Sequence, residues 1–413
     1  MLFRVAVLVA VMFAMSSHAE RRPDLAQVDL PHPYYIREMY LPQLTSGPSS
    51  LAWAPDSGEL IYSMAGSLWR QKIGATDALQ LTGFVCAAYD YQPDWSADGR
   101  WVVYSSYRGD AVELWILDLN SGDSRPLTGN GAVNVEPRFS PDGRRIAFVS
   151  TQFNKRFHIF TADFTDGRLA NVVRLTGEHK SGLPRYYYSA FDHEISPVWT
   201  RDGRDIIYVS NRNHIYGTGG FWRVASSGAG AADDAGARAA GQEFHYEETN
   251  WKARPDVSPD GSRLVFSSYL GRSWHNLWVM PARGGDAFPV GYGDWDQTNV
   301  RWSPDGTRVA FISNQLGNTH IDIEHIPGGD IQAVEIAARH YRSQMDGCIL
   351  RSRTGKAARP PPASASPMRA GGSMLRRMPG STRTTASIEA KGPPKRTIFI
   401  RTATHGSMCR RAP

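Results

Sequence analysis

Cysteine is almost absent, with three in 413 residues, too few for a disulfide framework or a cysteine-rich zinc site. Long apolar runs are missing as well. Outside a short N-terminal stretch nothing approaches the ~20 residues that a spanning helix needs, and mean hydropathy is −0.39, so a multi-span membrane protein is excluded and no transmembrane segment is expected. No window sustains a helical hydrophobic period. There is no Gly-x-Ser-x-Gly elbow, no His-Glu-x-x-His, no His-x-His pair and no glycine-rich phosphate loop opening a helix, so hydrolase, metal and nucleotide chemistry lack a local signature. What is present is 41% hydrophobic and 11% aromatic residues with 39 Gly and 26 Pro, enough apolar material for a folded core rather than a disordered chain.

Charge is divided unevenly. Residues 341–413 hold 15 Lys and Arg against Asp346 and Glu389, a net +13, so the chain's total of +6 leaves −7 for residues 1–340. All 12 Trp lie at or before Trp302, and the last segment has only Tyr341 and Phe399 as aromatics. The basic character belongs to the tail, and reading the whole chain as a nucleic-acid binder averages two unlike segments. Met1-Leu-Phe-Arg4, the apolar run Val5–Met15 and the small-x-small Ser17-His18-Ala19 have the order of a secretory signal cut before Glu20. The expected location is therefore periplasmic or secreted.

Between these ends the sequence repeats. A turn of the type Trp/Phe-Ser-Pro-Asp-Gly occurs six times: Trp53-Ala-Pro-Asp56-Ser-Gly58, Trp95-Ser-Ala-Asp98-Gly99, Phe139-Ser-Pro-Asp142-Gly143, Trp199-Thr-Arg-Asp202-Gly203, Val257-Ser-Pro-Asp260-Gly261 and Trp302-Ser-Pro-Asp305-Gly306. The Asp residues are 42, 44, 60, 58 and 45 apart, a spacing that suits a four-stranded propeller blade. Pro presets φ at the first corner, Asp caps the turn with its carboxylate, and Gly takes the positive φ that closes a hairpin. Short β-branched and aromatic runs follow each turn, such as Arg145-Ile-Ala-Phe-Val-Ser150 and Glu113-Leu-Trp-Ile-Leu-Asp118, and read as strands. The fold class expected is all-β, a six-bladed β-propeller with a disordered C-terminal tail. The segments are a signal peptide at 1–19, an extension at 20–40, the propeller at 41–340 and the basic tail at 341–413. Leu41-Pro-Gln-Leu-Thr45 resembles the blade-ending strands and is expected to complete the last blade, with Ile331–Ile336 competing for that edge.

The Ser-Pro-Asp-Gly turn, the Ile-Ala-Phe-x-Ser strand and the Leu-Thr-Gly ending resemble the repeats of TolB-type propellers over roughly residues 41–340. The segment between Glu20 and Leu41 has no room for the α/β domain that precedes the propeller in the founding members of that family. Three segments break the repeat: Arg185–Pro197, Ser210–Arg223 and Glu247–Pro255. They resemble the propeller half of large exported proteins in which an amidohydrolase-like metal-dependent hydrolase domain follows. That resemblance implies an accessory propeller whose metal ligands lie in a domain missing from this chain.

The same inserts hold the candidate binding residues: Arg185, Tyr187, Tyr188, Asp192, His193 and Glu194 before the fourth turn, Asn213 and His214 after its strand, and Glu247, Glu248 and Trp251 before the fifth. One reading makes them loop residues that satisfy backbone groups and pack under the inserts. The other places them on a raised rim at one propeller face, where binding loops gather on rigid scaffolds. No catalytic residue, metal ligand or cofactor is assigned. The expected function is an exported, non-catalytic propeller, monomeric, that binds a protein or envelope-associated ligand and no nucleic acid. The alternative is the accessory domain of a truncated hydrolase. The tail, from Pro360-Pro-Pro-Ala-Ser-Ala-Ser-Pro367 onward, has no apolar periodicity, and its Arg, Ala, Pro and Ser excess is that of a GC-rich gene read out of frame.

Removing residues 1–19 takes Arg4 away and leaves −8 on residues 20–340. A protein ending at residue 340 should therefore pass through heparin and DNA columns at physiological ionic strength, while the full chain is retained. Retention of the shorter protein contradicts the acidic-module reading.

Overall fold

The computed structural model describes residues 46–83, 88–108, 111–185, 189–215, 217–228, 241–245, 253–270 and 273–342. The expected signal segment, the strand at 41–45, the loop at 229–240 and the tail from 343 lie outside them. Every element among the described residues is a strand. The strands form six antiparallel sheets of four, and the first sheet gains a fifth strand. Each sheet is one blade. The inner strands are Pro48–Trp53, Tyr89–Trp95, Asn134–Phe139, Glu194–Trp199, Ala253–Val257 and Gln297–Trp302. Each packs beside the inner strands of the blades before and after it, and blade 6 returns to blade 1.

The turns behave as their chemistry dictates. In the second, Ser96 Oγ donates to Asp98 Oδ1 (2.5 Å), which also accepts Arg100 N–H (3.0 Å), while Gly99 N–H closes on Ser96 O (2.9 Å) and Trp101 N–H donates to Ser96 Oγ (2.9 Å). Turns two to six put Gly99, Gly143, Gly203, Gly261 and Gly306 at φ between 67° and 75°, a region glycine enters without steric cost. The first turn differs, because Ser57 takes the left-handed position at φ 59°. The Leu-Thr endings have a matching role. Thr82, Thr128 and Thr176 each turn Oγ inward to accept the N–H of Leu68, Leu114 and Ile159 at the start of the third strand (2.9, 2.9 and 3.0 Å).

The aromatic before each turn joins blades. Trp199 Nε1 donates to Arg138 O and Trp53 Nε1 to Arg301 O, each 3.0 Å away on the preceding blade. Arginines of the preceding blade cover the ring faces, with Arg145 4.6 Å from the Trp199 centroid, Arg263 4.9 Å from Trp302 and Arg308 5.1 Å from Trp53, where the ring quadrupole attracts a cation. Apolar side chains fill the wedges between sheets. Leu51, Trp53 and Trp69 of blade 1 pack with Ala310, Ile312, Ile321 and Ile323 of blade 6, so the seam where the ring closes is as continuous as the others.

At the closing seam the outer position of blade 6 is filled from its own repeat by the competing segment, Ile331–Ala333, which pairs Ala333 with Asp322 and Ile331 with Glu324. The strand expected at 41–45 lies outside the described residues. The piece that crosses the seam is C-terminal: Ala338–His340 adds in parallel to the outer strand of blade 1, Asp77–Gln80. Gln71 Nε2 holds the crossing chain at Glu335 O (2.6 Å), and Tyr341 meets Trp69 edge-on with centroids 5.2 Å apart. The outer edge of blade 1 is thereby paired instead of left open.

A buried carboxyl oxygen in blade 6 lacks a partner. Glu324, 3% exposed, has no hydrogen-bond partner for Oε2, and burial pushes its carboxyl up to about 7. Its folded pKa lies above the ordinary carboxylate value. The protonated form is therefore the one the fold accommodates, and stability is lost as pH rises through about 7. Glu324→Gln should leave the thermal midpoint at pH 5 nearly unchanged and raise it by several degrees at pH 8. Melting curves across that range provide the check.

Candidate functional site

Antiparallel blades give the ring two unlike faces. The Ser-Pro-Asp-Gly turns and the third-to-outer hairpins occupy one, the turn face. The second-to-third loops and the inter-blade connectors occupy the other, the connector face, where the described residues 189–193, 211–215 and 217–219 of the sequence inserts lie.

The structure brings several of the sequence-chosen residues together. Asp192 is the centre. Its Oδ1 accepts from Arg185 Nη2 at 2.5 Å, its Oδ2 pairs with His179 Nδ1, and its own N–H donates to His179 O (2.9 Å). Arg185 reaches on to blade 4, donating to Asn211 O (2.6 Å) and His214 O (3.0 Å). His193 N–H donates to Asn211 Oδ1 (2.9 Å), and its Nε2 lies 3.1 Å from Thr218 O. Burial holds the His193 imidazole down to about 4, so the ring is neutral and Nε2 carries the proton given to that carbonyl. Glu194 Oε2 lies 3.0 Å from His158 Nδ1 and burial raises its carboxyl, while His214 Nε2 meets Glu243 Oε1 at 2.9 Å. These contacts pin residues 177–193 to the loop at 211–219. Asp192, His193, Glu194 and His214 are buried and Asn213 is exposed at φ 63°. Tyr187, Tyr188, Glu247, Glu248 and Trp251 lie outside the described residues.

Exposed apolar side chains show a bias that the sequence reading did not find. Among the described residues, Leu79, Val172, Val173, Phe288 and Ile331 are on outer strands and Tyr341 follows the closing strand. Every other exposed large hydrophobic residue is on the connector face of blades 4 to 6: Leu183, Ile215, Trp274 (39%), Tyr292 (61%) and Leu316 (75%). The last three are on loops joined by hydrogen bonds. His275 N–H donates to Asp296 Oδ1 (3.0 Å), and Asp296 N–H donates to Asn314 Oδ1 (2.8 Å).

The ring axis holds a second site, also missed. Three residues before each turn aromatic, the inner strands of blades 2 to 6 bulge at Gln92, Glu136, Ser196, Arg254 and Asn299, all with φ between 47° and 55°. Such angles are uncommon for non-glycine residues. They turn backbone N–H groups toward side chains of the preceding blade. Gln92 N–H donates to Ser50 Oγ (2.9 Å), Glu136 N–H to Gln92 Oε1 (2.9 Å) and Ser196 N–H to Glu136 Oε2 (2.5 Å). Two residues further along, toward the turn face, four charges alternate around the axis. Arg138 meets Asp94 at 3.4 Å and Asp256 at 2.7 Å, and Arg301 meets Asp94 at 2.8 Å and Asp256 at 3.5 Å. Asp94 Oδ2 also accepts Phe139 N–H and Asp256 Oδ2 accepts Trp302 N–H, both at 2.8 Å. Burial outweighs the guanidinium attraction and pushes both carboxyls up to about 6. Between the two layers is a cavity of about 50 Å³. The signal for this site was a charge just before the anchor residue in Gln92-Pro-Asp-Trp95, Glu136-Pro-Arg-Phe139, Arg254-Pro-Asp-Val257 and Asn299-Val-Arg-Trp302. It recurs with the turn period.

Removing one cation from this ring leaves two buried carboxylates sharing the other. Arg138→Met should cost about 3–5 kcal/mol in urea unfolding at pH 8. The loss should shrink as pH falls below about 6, where Asp94 and Asp256 take up protons and no longer need a partner. A loss that stays constant between pH 5 and 8 contradicts this account.

Comparison with known proteins follows the same lines. The TolB beta propeller domain family matches residues 45–212. The Tol-Pal system protein TolB of Francisella tularensis subsp. mediasiatica is 27% identical over 249 residues, which are 59% of this chain and 50% of that protein. The chain spans about half the length of the curated relatives it matches. Among solved structures, TolB from Acinetobacter baumannii superposes with a TM-score of 0.49 at 17% identity, covering 73% of this chain and 69% of that one. A puromycin-hydrolyzing peptidase of Mycobacterium tuberculosis gives 0.46 at 15%, covering 68% and 44%. The chain is a TolB-like six-bladed β-propeller, with the TolB beta propeller domain recognisable in residues 45–212.

Proposed function

We propose that the protein is an exported, non-catalytic binding module that engages a protein partner through the connector face of blades 4 to 6. The observation that carries this reading is the placement of exposed apolar side chains. Among the described residues, apart from the outer strands and Tyr341, they are confined to one face and to three consecutive blades. Single exposed hydrophobics need no explanation, but a group of them on one face marks an interaction site. Trp and Tyr are also the residues that supply most binding energy at protein interfaces. The connector that carries Asp192 and the loop beginning at Asn211 lie on the same face, where the Arg185–Asp192 pair and the Arg185 contact to Asn211 O tie them together. Export rests on the Met1–Ala19 segment, and a protein partner is in keeping with relatives named as Tol-Pal system proteins. His193 and His214, on the inserts, are engaged with Thr218 O and Glu243 Oε1.

The test compares the parent chain with Trp274→Ala/Leu316→Ser and with Arg204→Glu, a substitution at an exposed position on the turn face. Proteins retained from an envelope extract are quantified by mass spectrometry. The double variant should lose at least tenfold of the specifically retained protein, and Arg204→Glu should lose none. Equal retention by both variants overturns the assignment of the face.

A further inference from the structure

The cavity on the axis has a composition that the docking face does not explain. It is about 50 Å³, room for one or two waters or a single small polar group. The charged residues lining it are Arg138, Arg254 and Arg301 against Glu136 alone, a net +2. Asp94 and Asp256, which balance Arg138 and Arg301, do not line it. A metal cation is disfavoured there on charge, and an anion is favoured.

The hydrogen bonds around the cavity point the same way. From Ser50 to Ser196, each bulge N–H is accepted by a side chain from the blade before it. The pattern then stops. Ser196 Oγ is turned to Glu136 Oε1 (3.4 Å), and the guanidinium of Arg254 accepts nothing. The bulge N–H groups of Arg254 and Asn299 therefore meet no side-chain acceptor from the preceding blade. Arg254 sends Nε toward Glu136 Oε1 (3.5 Å) and Nη1 to Asn299 Oδ1, and its Nη2 has no partner among the described residues. Its side chain is 32% exposed. The bulges precede the turn aromatics, so this layer lies on the connector side of the Arg–Asp ring.

We propose that this gap in the ring is a carboxylate site. A small carboxylate, or the carboxylate that ends a peptide chain, sits in the cavity and accepts hydrogen bonds from Arg254 Nη2 and from the bulge N–H groups of Arg254 and Asn299. Arg138 and Arg301 beneath supply positive field without giving up their own partners. A planar two-oxygen group matches both the guanidinium edge and the small volume. Acidification strengthens the site, because Asp94 and Asp256 lose charge near pH 6 while Glu136, the lone lining carboxylate, keeps its donors. The site is independent of the docking reading and requires no protein partner.

The experiment titrates acetate into the full chain at constant ionic strength, with sodium chloride as the blank, and follows binding by calorimetry. Saturable acetate binding is expected. Arg254→Gln should weaken it at least tenfold, and Glu136→Gln should tighten it several-fold, a gain that misfolding cannot mimic. Absence of saturable binding, equal affinity in Arg254→Gln, or weaker binding in Glu136→Gln overturns the proposal. An N-acetylated tetra-alanine peptide, as free acid and as C-terminal amide, separates the sources. A tenfold preference for the acid, with competition by acetate, identifies a chain terminus, and equal binding of the two identifies a free small carboxylate. Trp274→Ala/Leu316→Ser should bind acetate as the parent does, so failure of the docking reading leaves this result readable.

Discussion

Six blades can converge on one axis only if the polar groups they bring there are satisfied, and the alternation of Asp94, Arg138, Asp256 and Arg301 is how this ring meets that condition. Each charge comes from a different blade and touches two of opposite sign. Blades 2, 3, 5 and 6 are thus tied across the centre as well as around the rim. In so little water a pair of this kind adds modest net stability but tolerates no missing member. The two carboxylates also accept the N–H of Phe139 and Trp302, which positions the anchors that begin the next turns. The axis and the blade seams are one connected arrangement.

Away from the axis the same economy recurs. Trp199 and Trp53 each give an N–H to the preceding blade and take an arginine from that blade on the ring. Because neighbours are joined by a repeated contact, the ring behaves as a one-dimensional array closed on itself. The closing step departs from the repeat. The strand Ala338–His340 lies parallel on blade 1, so a segment that follows the sixth blade secures the first.

The two faces are unequal for a physical reason. Turns built on Ser, Asp and Gly consume their own polar groups and need no length, so the inner hairpins of the turn face are short and polar. Connectors and second-to-third loops have no such constraint, and there the chain exposes Trp274, Tyr292 and Leu316. The buried Asp192–Arg185 pair, with the Arg185 contact to Asn211 O, fixes the base of the blade 4 connector on that face.

The sequence by itself determined the number of blades, their period and the chemistry of their turns. These depend on local rules: a left-handed glycine, a capping Asp and an aromatic at fixed distance from both. It also located the inserts, and Arg185, Asp192, His193 and His214 do meet around Asn211, while Glu194 turns to His158. It did not reveal that Asp192 would be wholly buried, since burial depends on what the neighbouring loop covers. The pairing of residues 338–340 with the outer strand of blade 1 was decided only by tertiary structure. The Arg–Asp ring and its cavity were decided only by tertiary structure. Asp94 and Asp256 are 162 residues apart, and only the circular arrangement of blades places both against Arg138 and Arg301.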